Sequence, residues 1–172
     1  MPKIFENVRE QLLAEAKRQI KENGYAKTTI RSVAGACSLG VGTVYNYFSS
    51  KDMLIASFML EDWQVCLERM RGVCYCDERE LLLGIYELLC DFIGSHRALF
   101  EDSDAIKSFN SSHTSRHSLL RKQIALTLYP VCNNRGVDAD FLSEFVAESL
   151  LSWTVEGKGF DEIYSVMKLL FK

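Results

Sequence analysis

The sequence predicts an all-α protein of about nine helices, a small three-helix head followed by a larger helical body. Three observations carry this expectation. Only two prolines occur in 172 residues, one of them at position 2, so no proline interrupts a helical reading from Lys3 to Tyr129. Apolar residues recur three and four positions apart along most of the chain, and no segment makes a convincing strand. Glycine, serine, threonine and asparagine fall between these segments, where helices need caps and stops. A composition that is 48% apolar at this length supports a buried core and one or two domains.

From Phe5 to Asn23 the positions Phe5, Val8, Leu12, Ala16 and Ile20 form one apolar stripe, and Gly24 supplies a left-handed stop. Thr28 and Thr29 are capping hydroxyls for a second helix of about two turns through Ile30, Val33, Ala34 and Cys37. Ser38-Leu39-Gly40 reads as a tight turn around a buried leucine. A third short helix starts near Val41. Its residues Val44 and Phe48 share an inward face, which leaves Gly42, Thr43, Tyr45 and Asn46 on the others. Ser49-Ser50-Lys51-Asp52 caps a long fourth helix that runs to about Met70.

Further helices are expected from Asp77 to about Ser95, from Ala98 to Phe109, and from Ser115 to about Asn133, the last kinked or ended by Pro130. Asp138 or Asp140 caps a helix through Phe141, Phe145, Leu150 and Trp153. Gly157-Lys158-Gly159 separates it from a final helix, Phe160 to Phe171.

Charge divides the chain unequally. The formal net charge is -3, yet residues 1–52 carry +3 and residues 53–172 carry -6. Counterion release needs positive charge only where phosphates lie, so a basic head on an acidic body is compatible with nucleic-acid binding. No apolar run is long enough to cross a bilayer, and the first ten residues lack the order of a secretion signal, so the expected location is the cytoplasm. There the six cysteines are expected as free and mostly buried thiols. Cys74-Tyr75-Cys76 lacks the spacing of a zinc or redox pair, and no partner completes a metal set with His113 and His117. No metal or cofactor is expected. The chain also shows no Gly-rich phosphate loop and no nucleophile with an evident base, so it is not expected to be an enzyme, and an all-helical enzyme is a remote alternative.

The stretch from Thr28 to Ala34 and from Val41 to Leu54, with Gly24 and an aromatic residue at 25, closely resembles the DNA-binding head of TetR/AcrR-family regulators. The specificity lies in the combination of paired threonines, a short helix, Gly-Thr-Val-Tyr-x-Tyr-Phe, and then a lysine and an acid. The match covers about the first third of the chain. The last third is similar in layout only, with two amphipathic helices split by a glycine turn.

The resemblance implies a helix-turn-helix DNA-binding domain over residues 1–48 and a helical ligand-binding and dimerisation domain over 49–172. It implies a DNA interface made by Thr28, Thr29, Arg31, Val41, Gly42, Thr43, Tyr45, Asn46, Tyr47 and Lys51. In this reading the threonine hydroxyls hold a phosphate, and Arg31 reaches a phosphate or a guanine edge. Gly42 lets the backbones approach, Thr43 meets phosphate, and Tyr45 lies on a thymine methyl or a sugar. Tyr47 and Lys51 clamp the flanking phosphates. Taken alone, without the capping threonines and Lys51, Tyr45 and Tyr47 read by default as core aromatics of a small helical domain. Position 41, a lysine or polar base reader in many family members, is valine here, so specificity is expected to lean on methyl contacts and DNA shape.

The expected partners are a double-stranded DNA operator and a second copy of the chain. The expected homodimer interface is built on Phe141, Phe145, Leu150, Trp153, Ile163, Met167 and Leu170 of the last two helices. Phe58, Met59, Trp63, Phe92, Phe100 and Phe109 are candidates to line an apolar cavity for a small apolar or amphipathic effector. The leading function is a ligand-responsive repressor acting as a dimer on a palindromic operator. The alternative is a DNA-binding dimer scaffold without an effector.

Overall fold

A computed structural model describes residues 7–110, 113–133 and 135–171, with their side chains except those of residues 108–110 and 113–116. Ten helices and no strand occur among the described residues: α1 (Val8–Lys27), α2 (Ile30–Ala36), α3 (Val41–Tyr45), α4 (Lys51–Arg71), α5 (Glu78–Ser95), α6 (Arg97–Phe100), α7 (Ser103–Asn110), α8 (His113–Cys132), α9 (Ala139–Val155) and α10 (Phe160–Met167). The all-α expectation holds.

The tenth helix comes from the segment expected to be one helix from Ala98 to Phe109. Asp102 divides it, because its carboxylate accepts from the backbone N–H groups of Asp104 and Ala105 and so caps a new helix start. Pro130 does not end α8. It stands in the last turn, which continues to Cys132.

Most other boundaries follow the expected caps. Gly24, at φ 79°, breaks the helical geometry of α1. Ser50 accepts from Met53 N, Asp77 from Glu80 N and Asp138 from Phe141 N, at the starts of α4, α5 and α9. α9 closes on Gly157 at φ 78°. The Lys158 and Gly157 amides donate back to the Trp153 and Thr154 carbonyls, which satisfies two acceptors that the helix end leaves open.

By packing, the chain divides into two units. One takes the described residues of Met1–Asp62 and His96–Ser111, and the other takes Trp63–Ser95 and Ser112–Lys172. The first unit therefore holds more than the expected DNA-binding stretch of 1–48. Its core is Leu12, Ala16 and Ile20 of α1, Val33 of α2, Val44 and Phe48 around α3, and Leu54, Ile55 and Phe58 of α4, joined by Leu99 and Ala105. The core of the second unit runs through Trp63, Met70, Leu82, Ile85, Leu89, Ile124, Leu128, Val146, Leu150 and Ile163.

Within the second unit, α8 and α9 form an antiparallel pair tied by Arg121 to Glu144 and Glu148. The helical period decides which residues of α9 face inward: Leu142, Val146, Leu150 and Thr154 are buried, while Phe141, Phe145 and Trp153 are exposed.

Candidate nucleic-acid interface

The turn between α2 and α3 is set by its own hydrogen bonds. The Leu39 amide donates to the Ala34 carbonyl at 2.8 Å and the Ser38 amide to the Gly35 carbonyl at 3.0 Å, with Ser38 in the left-handed region at φ 58°. Gly40 has an ordinary φ of -69° and caps α3. Leu39 is half-buried against the head's core, as the turn requires.

α3 is held by Val44 and Phe48, both buried, and by Val41, which is half-buried and packed on the same core. The other side of the helix faces out. Gly42 and Asn46 are exposed, Thr43 is half-buried, and Tyr45 and Tyr47 keep 54% and 48% of their surface. The reading of these tyrosines as core aromatics is excluded by that exposure.

Gly42 is informative for what it does not do in the fold. Its φ lies outside the left-handed region, and a Cβ added there would meet no heavy atom of the chain within 4 Å. No contact within the fold requires glycine there, and its lack of a side chain leaves the backbone bare on the outer side of α3.

The start of α2 differs from expectation at one residue. Thr28 is 1% exposed, and its hydroxyl donates to the Gly24 carbonyl at 2.9 Å. It closes the end of α1 and is turned away from any phosphate. Thr29 is exposed and forms a reciprocal cap with Ser32: the Ser32 amide donates to Thr29 Oγ1, and the Thr29 amide donates to Ser32 Oγ, each at 3.0 Å. Thr29 Oγ1 accepts in that pair, so its own proton is left to donate outward. Arg31 is exposed on α2 beside it.

Lys51 is half-buried. Its Nζ donates to the Tyr25 carbonyl at 2.8 Å and lies 3.4 Å from the centre of the Tyr25 ring, and burial holds its pKa below the ordinary lysine range against the pull of Asp52, Asp102 and Asp104. Tyr25 in turn donates its hydroxyl to Asp52 at 2.6 Å. An ammonium has three donors, so Lys51 both locks the head and retains donors for a phosphate.

Sequence reasoning missed the supports of this surface. Gln19 is buried on α1, donates to Glu15, and accepts from Ser32 Oγ at 2.6 Å, which fixes the start of α2 on α1. The signal present was Thr29-x-x-Ser32, a variant of the capping box with serine in the place of glutamate.

The expected body residues are distributed unevenly. Phe58 is buried and Met59 half-buried in the head unit, Phe100 of that unit is exposed, and Trp63 and Phe92 meet edge to face at 5.2 Å in the other unit. The side chain of Phe109 lies outside the described residues. Of the expected dimer residues, Phe141, Phe145, Trp153 and Leu170 are exposed. Leu150, Ile163 and Met167 instead fill the chain's own core, because they fall on the inner faces of α9 and α10. Val166 and Leu169 take their place on the outer face.

Comparison with known proteins agrees with this arrangement. Residues 12–58 match the family of bacterial regulatory proteins described as the tetR family. Over 63 residues the chain is 32% identical to the HTH-type transcriptional regulator UidR of Escherichia coli (strain K12), a match that covers 37% of this chain and 32% of that protein. Over 89 residues it is 35% identical to the HTH-type transcriptional repressor Rv1474c of Mycobacterium tuberculosis, covering 49% of this chain and 44% of that one. These matches thus span a third to under half of the relatives' lengths.

Solved structures resemble the whole chain in fold. A TetR/AcrR-family regulator from Thermobifida fusca aligns with a TM-score of 0.60 at 16% identity over 97% of this chain and 98% of its own. FadR from Bacillus subtilis, in complex with stearoyl-CoA, aligns with a TM-score of 0.56 at 19% identity over 95% and 97%. The head, residues 12–58, is thus matched in sequence to the tetR family, and the fold of the chain is that of solved TetR/AcrR-family structures.

Proposed function

We propose that this chain is a DNA-binding transcriptional regulator that acts in the cytoplasm as a homodimer, repressing from a two-fold operator until an effector releases it. The observation that carries the reading is the outward face of α3. Gly42 has no internal reason to be glycine, and it stands between exposed Tyr45, Asn46 and the half-buried Thr43 on a helix whose opposite side is fully committed to the core. A bare backbone flanked by a hydroxyl, an amide and an aromatic ring suits close approach to a sugar-phosphate strand with contacts to base edges. Arg31 and Thr29 on α2 add phosphate donors beside it. No enzymatic step is proposed.

One head buries too little DNA for a specific site, so a dimer is part of the proposal. Phe141, Phe145 and Trp153 of α9, with Val166, Leu169 and Leu170, are among the large apolar residues that the fold leaves exposed, and they are the surface proposed for a second copy. The likeness to FadR, solved with stearoyl-CoA, supports an apolar or amphipathic effector. The split of the expected cavity residues between two units favours keeping the effector-free scaffold as the second reading. The two differ in whether any apolar ligand releases DNA.

The test is binding to duplexes drawn from the region upstream of the protein's own gene, at several salt concentrations, for wild type, Gly42→Ala and Tyr45→Ala. The expected result is sequence-specific binding that weakens steeply with salt, and a loss of roughly tenfold or more in both variants without loss of thermal stability. Equal affinity for all duplexes in all three proteins overturns the reading.

A further inference from the structure

Residues 96–110 belong to the head unit although the whole of α5 separates them from it in sequence. Their apolar hold is small: of the described side chains in this stretch, Leu99 and Ala105 are buried in the head's core, and Ala98 packs at its edge. At the first residue of the stretch stands a buried imidazole. His96 is 3% exposed, its ring stacks on Phe58 at 6.1 Å with 17° between planes, and its Nε2 lies 2.9 Å from Asp62 Oδ2.

The same carboxylate takes Lys17 Nζ, at 2.8 Å to Oδ1 and 2.6 Å to Oδ2. One carboxylate therefore joins α1, α4 and the start of α6. Asp62 and His96 are also the residues at which the chain leaves the head unit and returns to it. Two residues from Lys17 on α1 is Gln19, whose side chain holds Ser32 in the capping box that opens α2. Two separate sets of polar contacts thus meet on α1: one joins His96 and Asp62 to Lys17, the other joins Gln19 to Ser32 at the start of α2.

We infer that His96 is a positioning residue for the DNA-binding head: through Asp62 it clasps α6 and α7 onto α1, so that residues 96–110 set the head's affinity for DNA without touching it. His96 is buried and Asp62 is half-buried, so the imidazole stands at ion-pair distance from a carboxylate at the edge of the head's core, a polar contact that the apolar packing of Leu99 and Ala105 does not supply. The inference rests on the DNA-binding reading above and assigns to that site a point of control.

The experiment uses the full chain and a duplex enriched by the wild type from a random-sequence library. His96→Phe keeps a ring against Phe58 and removes one of the carboxylate's two partners, leaving Lys17, whereas His96→Gln keeps an N–H donor. Amide exchange across residues 97–107 and duplex affinity at fixed salt are read for both, and again with Asp62→Asn added. The expected result is exchange faster by about tenfold and affinity weaker by about tenfold in His96→Phe, recovery of most of both in His96→Gln, and little further loss when Asp62→Asn is combined with His96→Phe.

Unchanged exchange and affinity in His96→Phe overturn the inference, as do equal losses in the Phe and Gln variants or a fully additive loss in the double variant. A wild type that enriches no duplex overturns the DNA-binding reading and the affinity half of the inference with it, while the exchange measurement still decides the clasp. If His96→Phe does not fold, Asp62→Asn alone is read on the same two measurements, with the same losses expected.

Discussion

Lys51 Nζ donates to the Tyr25 carbonyl at 2.8 Å and lies over the ring of the same residue, so a single ammonium fastens the end of α1 to the start of α4. Replacing Lys51 by methionine keeps the stem and removes the donor. Stability in urea is expected to fall by about 1 kcal/mol from the lost charged hydrogen bond and ring contact, and DNA affinity is expected to fall with it. The pH dependence has a definite sign. Burial lowers the Lys51 pKa in the folded chain, so the unfolded chain binds this proton more tightly, and this residue's contribution makes stability rise as pH climbs toward the ordinary lysine range. Urea titrations of wild type and Lys51→Met across that range check it: the variant lacks the rise.

Ser38 occupies a left-handed position, φ 58°, that closes α2 and aims the chain into α3. Glycine adopts that backbone without a Cβ penalty, and a β-branched residue adopts it least readily. Ser38→Gly is expected to be more stable by about 0.5 kcal/mol, the relief of strain being partly offset by a more flexible unfolded chain, and Ser38→Val less stable by about 1 kcal/mol. Thermal unfolding should rank the three Gly, Ser, Val. Equal stabilities would mean that the turn does not depend on this conformation.

The sequence made the helices and much of the head legible because its signals there are local. Val44 and Phe48 share a face by helical period alone, and Gly24, Ser50, Asp77 and Asp138 act within a few residues of themselves. What stayed hidden depends on contacts between distant residues. Thr28 and Thr29 are neighbours of identical type, and nothing in the sequence tells that one hydroxyl bonds back to Gly24 while the other caps α2. The Asp62 to His96 contact joins residues 34 positions apart, and Gln19 reaches Ser32 across two helices. Periodicity does not separate buried Leu150, Ile163 and Met167 from exposed Phe141, Phe145 and Val166, because apolar residues occupy both sides of α9 and α10.

The six cysteines fall into three classes of exposure. Cys74, Cys76 and Cys90 are exposed, Cys66 and Cys132 are buried, and Cys37 is half-buried with its pKa raised by desolvation. Burial pushes the Cys66 thiol up to about 11, so it holds its proton well above the ordinary thiol range. Iodoacetamide at mildly alkaline pH is expected to label the three exposed thiols first and Cys66 and Cys132 only on unfolding, as read by mass spectrometry of the peptides. Between the ordinary thiol range and about 11 the folded chain binds the Cys66 proton more tightly than the unfolded chain does, so this thiol's contribution makes stability fall as pH rises through that window. Rapid labelling of Cys66 in the native protein would show that its site opens locally.

The outer and inner faces of α9 give opposite expectations for neighbouring phenylalanine and leucine positions. Phe141 keeps 70% of its surface and Phe145 keeps 50%, and their rings lie 6.4 Å apart, whereas Leu150 is fully buried. A charge introduced at an exposed ring changes little within one protomer but is costly in an apolar contact between two. Phe141→Asp and Phe145→Asp are therefore expected to sediment as monomers, to unfold at a temperature that no longer depends on protein concentration, and to bind DNA at least about tenfold more weakly, since each head then binds alone. Leu150→Ala acts on the other side of the helix, where truncation leaves a cavity. It should cost about 2–5 kcal/mol of stability while the protein that remains folded keeps its state of association. Dimers that persist in both aspartate variants would place the second copy on some other surface and leave the exposed face of α9 for a different partner.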